Sequence, residues 1–222
     1  DMVSIARPFL ADPEFVAKAA TGKQALINTC IACNQACLDH TFSGKLSTCL
    51  VNPRACHETV LNFLPTTEPR KIAVVGAGPA GLTVATLAAE RGHQVSLFEE
   101  AEEIGGQFNI AKRVPGKEEF SEVLRYFKNR LETTGVRLHL NTPVSAEKLI
   151  DGGYDKILLA TGVTPRVPEI PGIGHPKVIN YLDALLERKP VGRTVAVLGA
   201  GGIGFDVCEF ITQQGLSSSL SA

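Results

Sequence analysis

Two strand–turn–helix openings of the same kind, about 120 residues apart, constrain this chain more than any other feature. In the first, the apolar run Lys71-Ile72-Ala73-Val74-Val75 leads into Gly76-Ala77-Gly78-Pro79-Ala80-Gly81 and an alanine-rich helix to Glu90, which Gly92 can end with a left-handed cap. In the second, Arg193 to Leu198 reads as a buried strand, Gly199-Ala200-Gly201-Gly202-Ile203-Gly204 repeats the turn, and Ile203, Val207, Phe210 and Ile211 begin a helix. A glycine fingerprint between a strand and a helix has a physical meaning. The first glycine makes the tight turn, the second lets a pyrophosphate approach the backbone, and the third lets helix and strand pack closely, while the helix N-terminus receives the phosphates.

Around the first turn the remaining pieces of a doubly wound α/β unit are readable. Gln94 to Phe98 is a second strand and Lys156 to Ala160 another buried one. Phe120, Val123, Leu124, Phe127 and Leu131 recur at helical spacing, and Val136, Leu138 and Leu140 alternate as in a strand. Glu99, at the end of the second strand, is placed to take the ribose hydroxyls of an adenine nucleotide, whereas Glu100 is one residue past and solvated. Gly105-Gly106-Gln107 is a second glycine-rich approach suited to the rest of a flavin nucleotide, and Thr161-Gly162 closes the Lys156–Ala160 strand. The cofactor-binding positions are therefore Gly76, Gly78, Ala80, Gly81, Glu99, Gly106, Gln107 and Gly162, with Gly199, Gly201 and Gly204 for a nicotinamide nucleotide. The residue separating NADH from NADPH falls about 20 residues further on. There the tail reads Ser217-Ser218-Ser219-Leu220-Ser221-Ala222, which does not discriminate.

Ahead of this unit, five of the six cysteines fall between about Asn28 and Pro65, a stretch with little periodicity that needs a staple. Cys30-x2-Cys33-x3-Cys37-x11-Cys49 offers four thiolates, as a 4Fe–4S cube requires. Structural zinc is the rival reading, although all-cysteine zinc sites usually come as paired knuckles and here the last cysteine stands alone. Cys56 and Cys208 read as small buried residues. The five histidines show no metal spacing. Residues 1–20 read as a strand remnant, the loop Ala6-Arg7-Pro8, and a short helix for which Ala11-Asp12-Pro13-Glu14 supplies an N-cap and a proline in the first turn. Pro165, Pro168 and Pro171 make 163–174 a connection between domains.

Composition excludes several classes of function. The 22 lysines and arginines are interspersed with 23 acids, so no basic field points to nucleic acid or to a membrane surface. No apolar run is long enough to span a bilayer and no secretory leader opens the chain, so a cytoplasmic location is expected. The start at Asp1 and the stop soon after the second turn suggest part of a longer enzyme.

Ala6-Arg7-Pro8…Ala11-Asp12-Pro13, Cys30-Ile31-Ala32-Cys33-Asn34-Gln35-Ala36-Cys37, Gly44-Lys45, Cys49-Leu50-Val51-Asn52-Pro53 and the first glycine turn, taken in order, resemble a known family. The chain is similar to the bacterial NADPH-dependent 2,4-dienoyl-CoA reductases and to the trimethylamine dehydrogenases, 2-enoate reductases and NADH oxidases that share their arrangement. Gly105 to Lys112 and Pro115 to Phe120 favour the first. The resemblance implies a (β/α)8 barrel holding FMN and substrate, a 4Fe–4S segment, then an FAD domain with an inserted NADPH domain. It divides the chain into a barrel remnant (1–22), the cluster segment (23–68), an incomplete FAD domain (69–165) and the start of the NAD(P)H domain (166–222). It assigns Arg7 to the loop on the FMN phosphate, Cys30, Cys33, Cys37 and Cys49 to the cluster, Glu99 to the FAD ribose, and the Val144 backbone to the adenine. It implies electron flow from NADPH through FAD, cluster and FMN to a 2,4-dienoyl-CoA in unsaturated fatty-acid β-oxidation, with no catalytic residue in this stretch and no activity for the stretch alone. The alternatives are an amine or enoate enzyme of the same architecture and a non-catalytic electron-transfer module.

Overall fold

The computed structural model describes residues 2–214. Its centre is a parallel sheet of β1 (Lys71–Val75), β2 (Gln94–Phe98), β3 (Arg137–His139) and β4 (Lys156–Leu159) in the order β3-β2-β1-β4. Val74 pairs in register with Leu97 on one side and Leu158 on the other. β2 and β3 follow on one side of β1 and β4 returns on the other, so the crevice at the ends of β1 and β4 is a topological switch point.

The helices in chain order are α1 (Arg7–Ala11), α2 (Phe15–Ala20), α3 (His40–Phe42), α4 (Pro79–Glu90), α5 (Phe108–Ala111), α6 (Phe120–Thr134), α7 (Ala146–Asp151), α8 (Tyr181–Leu185) and α9 (Gly202–Thr212). Helices α4 and α6 cover one face of the sheet, where Leu82, Ala85, Val123, Phe127 and Leu131 pack on Ile72, Val74, Val95 and Leu97. The 3.6-residue spacing of α6 thus reaches the core, and Gly135 ends the helix in the left-handed conformation. Gly92 has φ 97° just past α4 and serves it similarly. On the opposite face Ala73, Phe98 and Leu149 form a smaller cluster with Val75, Val144 and Tyr154.

The cysteine segment lies against the helix face of this unit. Buried Ile31 joins the core of α4 and α6, with Cys33 and Val51 packed beside it. Arg125 on α6 reinforces the seat, donating to the carbonyls of Ala25 at 2.6 Å and Ile27 at 2.9 Å while holding Glu122 at 2.6 Å. At the other end, α9 rests on α8 and α5 through Val207, Phe210, Leu185, Ile110 and Val114.

Several sequence expectations change. No strand occurs in residues 2–5, and Arg7, expected in a loop, opens α1, because Pro8 in its first turn already has a helical φ. Asp12 is the C-cap of α1, and Glu14, rather than Asp12, occupies the N-cap position of α2, so Pro13 precedes that helix. β3 stops at His139, short of Leu140. β4 is exposed rather than buried because it is the sheet edge, with Leu159 73% accessible. Arg193 to Leu198 forms no strand: among the described residues no neighbour offers it a ladder. Cys56 and Cys208 are exposed rather than buried, Cys56 standing in a left-handed turn with φ 63° and Cys208 on an uncovered side of α9. Residues 161–180 carry no helix or strand. No helix among the described residues is long and apolar enough to cross a membrane.

Candidate nucleotide and four-cysteine sites

Four segments converge at the carboxyl ends of β1, β2 and β4. Gly76 turns the chain at φ 101°, a conformation closed to most residues, and a Cβ there would lie 2.3 Å from the Ala160 carbonyl oxygen. Gly81 sits so close beneath the turn that a Cβ would meet the Gly76 oxygen at 1.8 Å. Gly78, the N-cap of α4, differs, because a Cβ on it would meet nothing within 4 Å. The turn is packed tight on its inner side and open where a phosphate would arrive, with Ala80 exposed in the first turn of α4. The N–H groups of that turn have no intrahelical acceptors and present a positive end.

Glu99 is half-buried and Glu100 exposed, as their positions suggested. The Glu99 carboxylate accepts the Ala77 N–H at 2.6 Å and the Ala101 N–H at 3.0 Å. Gly105 donates to the Ala77 carbonyl at 2.8 Å, and Gly106 comes so near Gly78 that a Cβ would lie 3.1 Å from its Cα. Gln107 donates to the Val163 carbonyl at 3.4 Å, drawing the stretch after exposed Gly162 towards the same mouth. Val144 lies on the far face of the sheet, lining an open cavity with Phe98, His139, Thr142 and Tyr154, and nearby the Thr142 N–H donates to the Glu99 carbonyl at 2.8 Å.

The second turn repeats the first. Gly199 has φ 118°, Gly201 caps α9 with φ −87° and ψ −179° against −74° and −179° at Gly78, and a Cβ on Gly204 would meet the Gly199 oxygen at 2.1 Å. Two cations of the 112–117 loop, which spacing did not flag, hold this second unit. Lys117 pairs with Asp206 of α9 at 2.6 Å, and Arg113 donates to the carbonyls of Leu185 and Leu186 at the end of α8, each at 3.1 Å. The tail 217–222 lies outside the described residues.

Cys30, Cys33, Cys37 and Cys49 line one cavity with Arg7, Leu10 and Ala36. Two non-glycine residues in its loop, Ala32 and Asn34, are left-handed at φ 52° and 57°. That conformation disfavours alanine by about 1–2 kcal/mol and suits asparagine better. Arg7 donates to the Asn34 side chain, so the helix carrying Arg7 is joined to the cysteine loop. Burial pushes the Cys49 thiol up. Among the described residues no three histidine, cysteine or acidic side chains form a group that could hold a metal ion. Four thiols around one cavity are nonetheless the donor set that a structural zinc or a 4Fe–4S cluster would take.

Known proteins are similar to this chain in sequence and fold. The family model for pyridine nucleotide-disulphide oxidoreductases matches residues 70–220. Among curated relatives, the chain is 37% identical over 219 residues to a metal reductase of Desulforamulus reducens, covering 97% of this chain and 33% of that protein. It is 34% identical over 221 residues to a bilirubin reductase of Mediterraneibacter gnavus, covering 99% and 34%. The chain thus spans about a third of the length of these relatives. Among solved structures, a 2-naphthoyl-CoA reductase in complex with 2-naphthoyl-CoA is similar at a TM-score of 0.89 and 35% identity, over 93% of this chain and 32% of that one. The matched stretch contains both glycine turns and Glu99, and the chain belongs to the pyridine nucleotide-disulphide oxidoreductase family.

Proposed function

We propose that this chain is the electron-carrying part of a flavin-dependent reductase, holding FAD at the first glycine turn, a nicotinamide nucleotide at the second and a 4Fe–4S cluster on Cys30, Cys33, Cys37 and Cys49. The observation that carries the reading is the seating of the four-cysteine cavity, through Ile31 and Arg125, on the helix face of the dinucleotide unit. Bound there, the flavin would accept a hydride from the nicotinamide and the cluster would take its electrons singly. The chain's own residues do the binding: Gly78 leaves room for the pyrophosphate, Glu99 offers its remaining lone pairs to a ribose, and Gly106 and Gln107 bound the approach to the mouth.

The reading extends to the whole protein as an NADPH-dependent 2,4-dienoyl-CoA reductase with an FMN barrel, located in the cytoplasm. The resemblance in Gly105 to Lys112 supports it, as does the likeness to a reductase whose structure contains 2-naphthoyl-CoA. The second reading, an enoate or amine enzyme of the same build, is favoured by similarity to a cinnamate reductase of Clostridium sporogenes at 33% identity and to an N,N-dimethylglycine/sarcosine dehydrogenase of Chromohalobacter salexigens at 31%.

Anaerobic purification with metal, sulfide and flavin analysis tests the cofactor set. Iron and acid-labile sulfide in equal amounts, four each per protomer of a 4Fe–4S protein, are expected, and stoichiometric zinc without sulfide would remove the cluster from the proposal. Turnover with a dienoyl-CoA, cinnamate and dimethylglycine in parallel assigns the substrate. Cys37→Ser is expected to leave NADPH bleaching of FAD intact while NADPH-driven substrate reduction falls to background. A variant lacking the cluster yet reducing substrate at the normal rate would leave the cysteines a structural role only.

A further inference from the structure

Cys49 is the distant member of the four-cysteine set, separated from Cys37 by a stretch that contains α3, with exposed Phe42 at its end, and exposed Leu46. Something must fix it against Cys30. Asn28 lies two residues before Cys30 and is only 7% exposed. Its Nδ2 donates to the carbonyl of Val51, two residues after Cys49, at 2.7 Å, and to the carbonyl of Ala11 at the end of α1 at 3.2 Å. Both neighbours are carbonyl oxygens, so the nitrogen must face them, and only an amide puts two donors on one atom of this short arm. Its Oδ1 is buried without a partner among the described residues, which costs stability and leaves the donors as the reason for the residue.

The backbone N–H of Asn28 extends the link. It donates at 2.8 Å to Asp12 Oδ2, and this carboxylate, 2% exposed as a residue, also holds Lys18 at 2.7 Å and the Glu14 N–H at 3.0 Å. Asn52 adds a donor to the Leu10 carbonyl at 2.8 Å, and on the other side of Cys49 the Thr48 N–H donates to Ala36 at 2.8 Å, next to Cys37.

We infer that Asn28 is a positioning residue for the four-thiolate site, clamping the Cys30 end to the Cys49 end and both to the helices that precede them. The inference rests on the cluster reading above and goes beyond it by making thiolate spacing depend on one buried amide and on the seating of α1. A residue orienting metal ligands in this way acts on affinity and electronic structure without touching the metal.

The test uses the intact protein, purified anaerobically, with Asn28→Leu, which keeps the volume and removes both donors, and Asn28→Ser, which keeps one donor on a shorter arm. Iron release to a chelator, the electron paramagnetic resonance spectrum of the reduced protein and FAD content are measured together. Asn28→Leu is expected to release iron about tenfold faster or more and to show an altered spectrum at full FAD content, with Asn28→Ser intermediate. Should the leucine variant not fold, the serine variant decides alone. Normal release and spectrum, or loss of iron and FAD in parallel, would overturn the inference. Absence of iron and sulfide from the unmutated protein would instead overturn the cluster reading, and this inference with it.

Discussion

The carboxylate of Glu99 accepts the backbone N–H of Ala77 at 2.6 Å, so the acid at the end of β2 is tied directly to the glycine turn after β1. It therefore braces the turn at the position proposed to meet a ribose. Glu99→Ala is expected to weaken FAD retention at least about tenfold, since charge-assisted hydrogen bonds contribute about 1.5–3 kcal/mol each. Fluorescence titration after dialysis checks this, with iron and sulfide unchanged. A full FAD complement in the variant would move the role to Glu100.

Gly78→Ala and Gly81→Ala separate ligand room from packing room. Alanine at Gly81 forces its Cβ into the Gly76 oxygen and is expected to cost about 1–3 kcal/mol or more, read as a lower melting temperature without ligand. Alanine at Gly78 meets only open space, so the protein should melt normally yet bind FAD weakly. Equal melting temperatures for the two variants would contradict the geometry.

Arg125 holds the stretch leading to Cys30 by hydrogen bonds to the carbonyls of Gln24, Ala25 and Ile27, and a lysine, with one compact ammonium, cannot reproduce its fork. Both Arg125→Ala and Arg125→Lys are expected to weaken the seat by about 2 kcal/mol. Amide exchange at residues 24–31 should quicken while exchange in β1 and β2 stays slow. Unchanged exchange in the first region would mean that Ile31 alone holds the segment.

At the far end, Lys117 and Asp206 are both partly exposed, so Lys117→Ala should cost less than about 1 kcal/mol. Leu185 is buried beneath α9, and Leu185→Ala should cost about 2–5 kcal/mol of docking. Exchange rates across α9 rank the two, and a larger effect from Lys117 would reverse the assignment.

The elements that were legible in the sequence are those whose determinants are local. β1, β2 and α4 start and stop where the apolar runs and Gly92 put them, and the turn glycines need only their neighbours to define their shape. Exposure of β4 is not legible in the sequence because an edge strand and a central strand carry the same apolar run, and only the pairing order distinguishes them. Arg193 to Leu198 failed for a related reason, since ladder partners are not a local property. Within the sites, the four cysteines and Glu99 stood out by residue type and spacing. Asn28, Arg125 and Lys117 act across 23, 98 and 89 residues respectively, and no periodicity signals such contacts.

The second glycine turn takes the backbone angles of the first although, among the described residues, no strand pairs with the stretch before it. Its shape is therefore intrinsic to the six-residue motif and the helix it opens. A turn of this kind is a cassette: it can be duplicated or placed in a loop of a host fold and keep its shape, with the surrounding framework left to set what it presents.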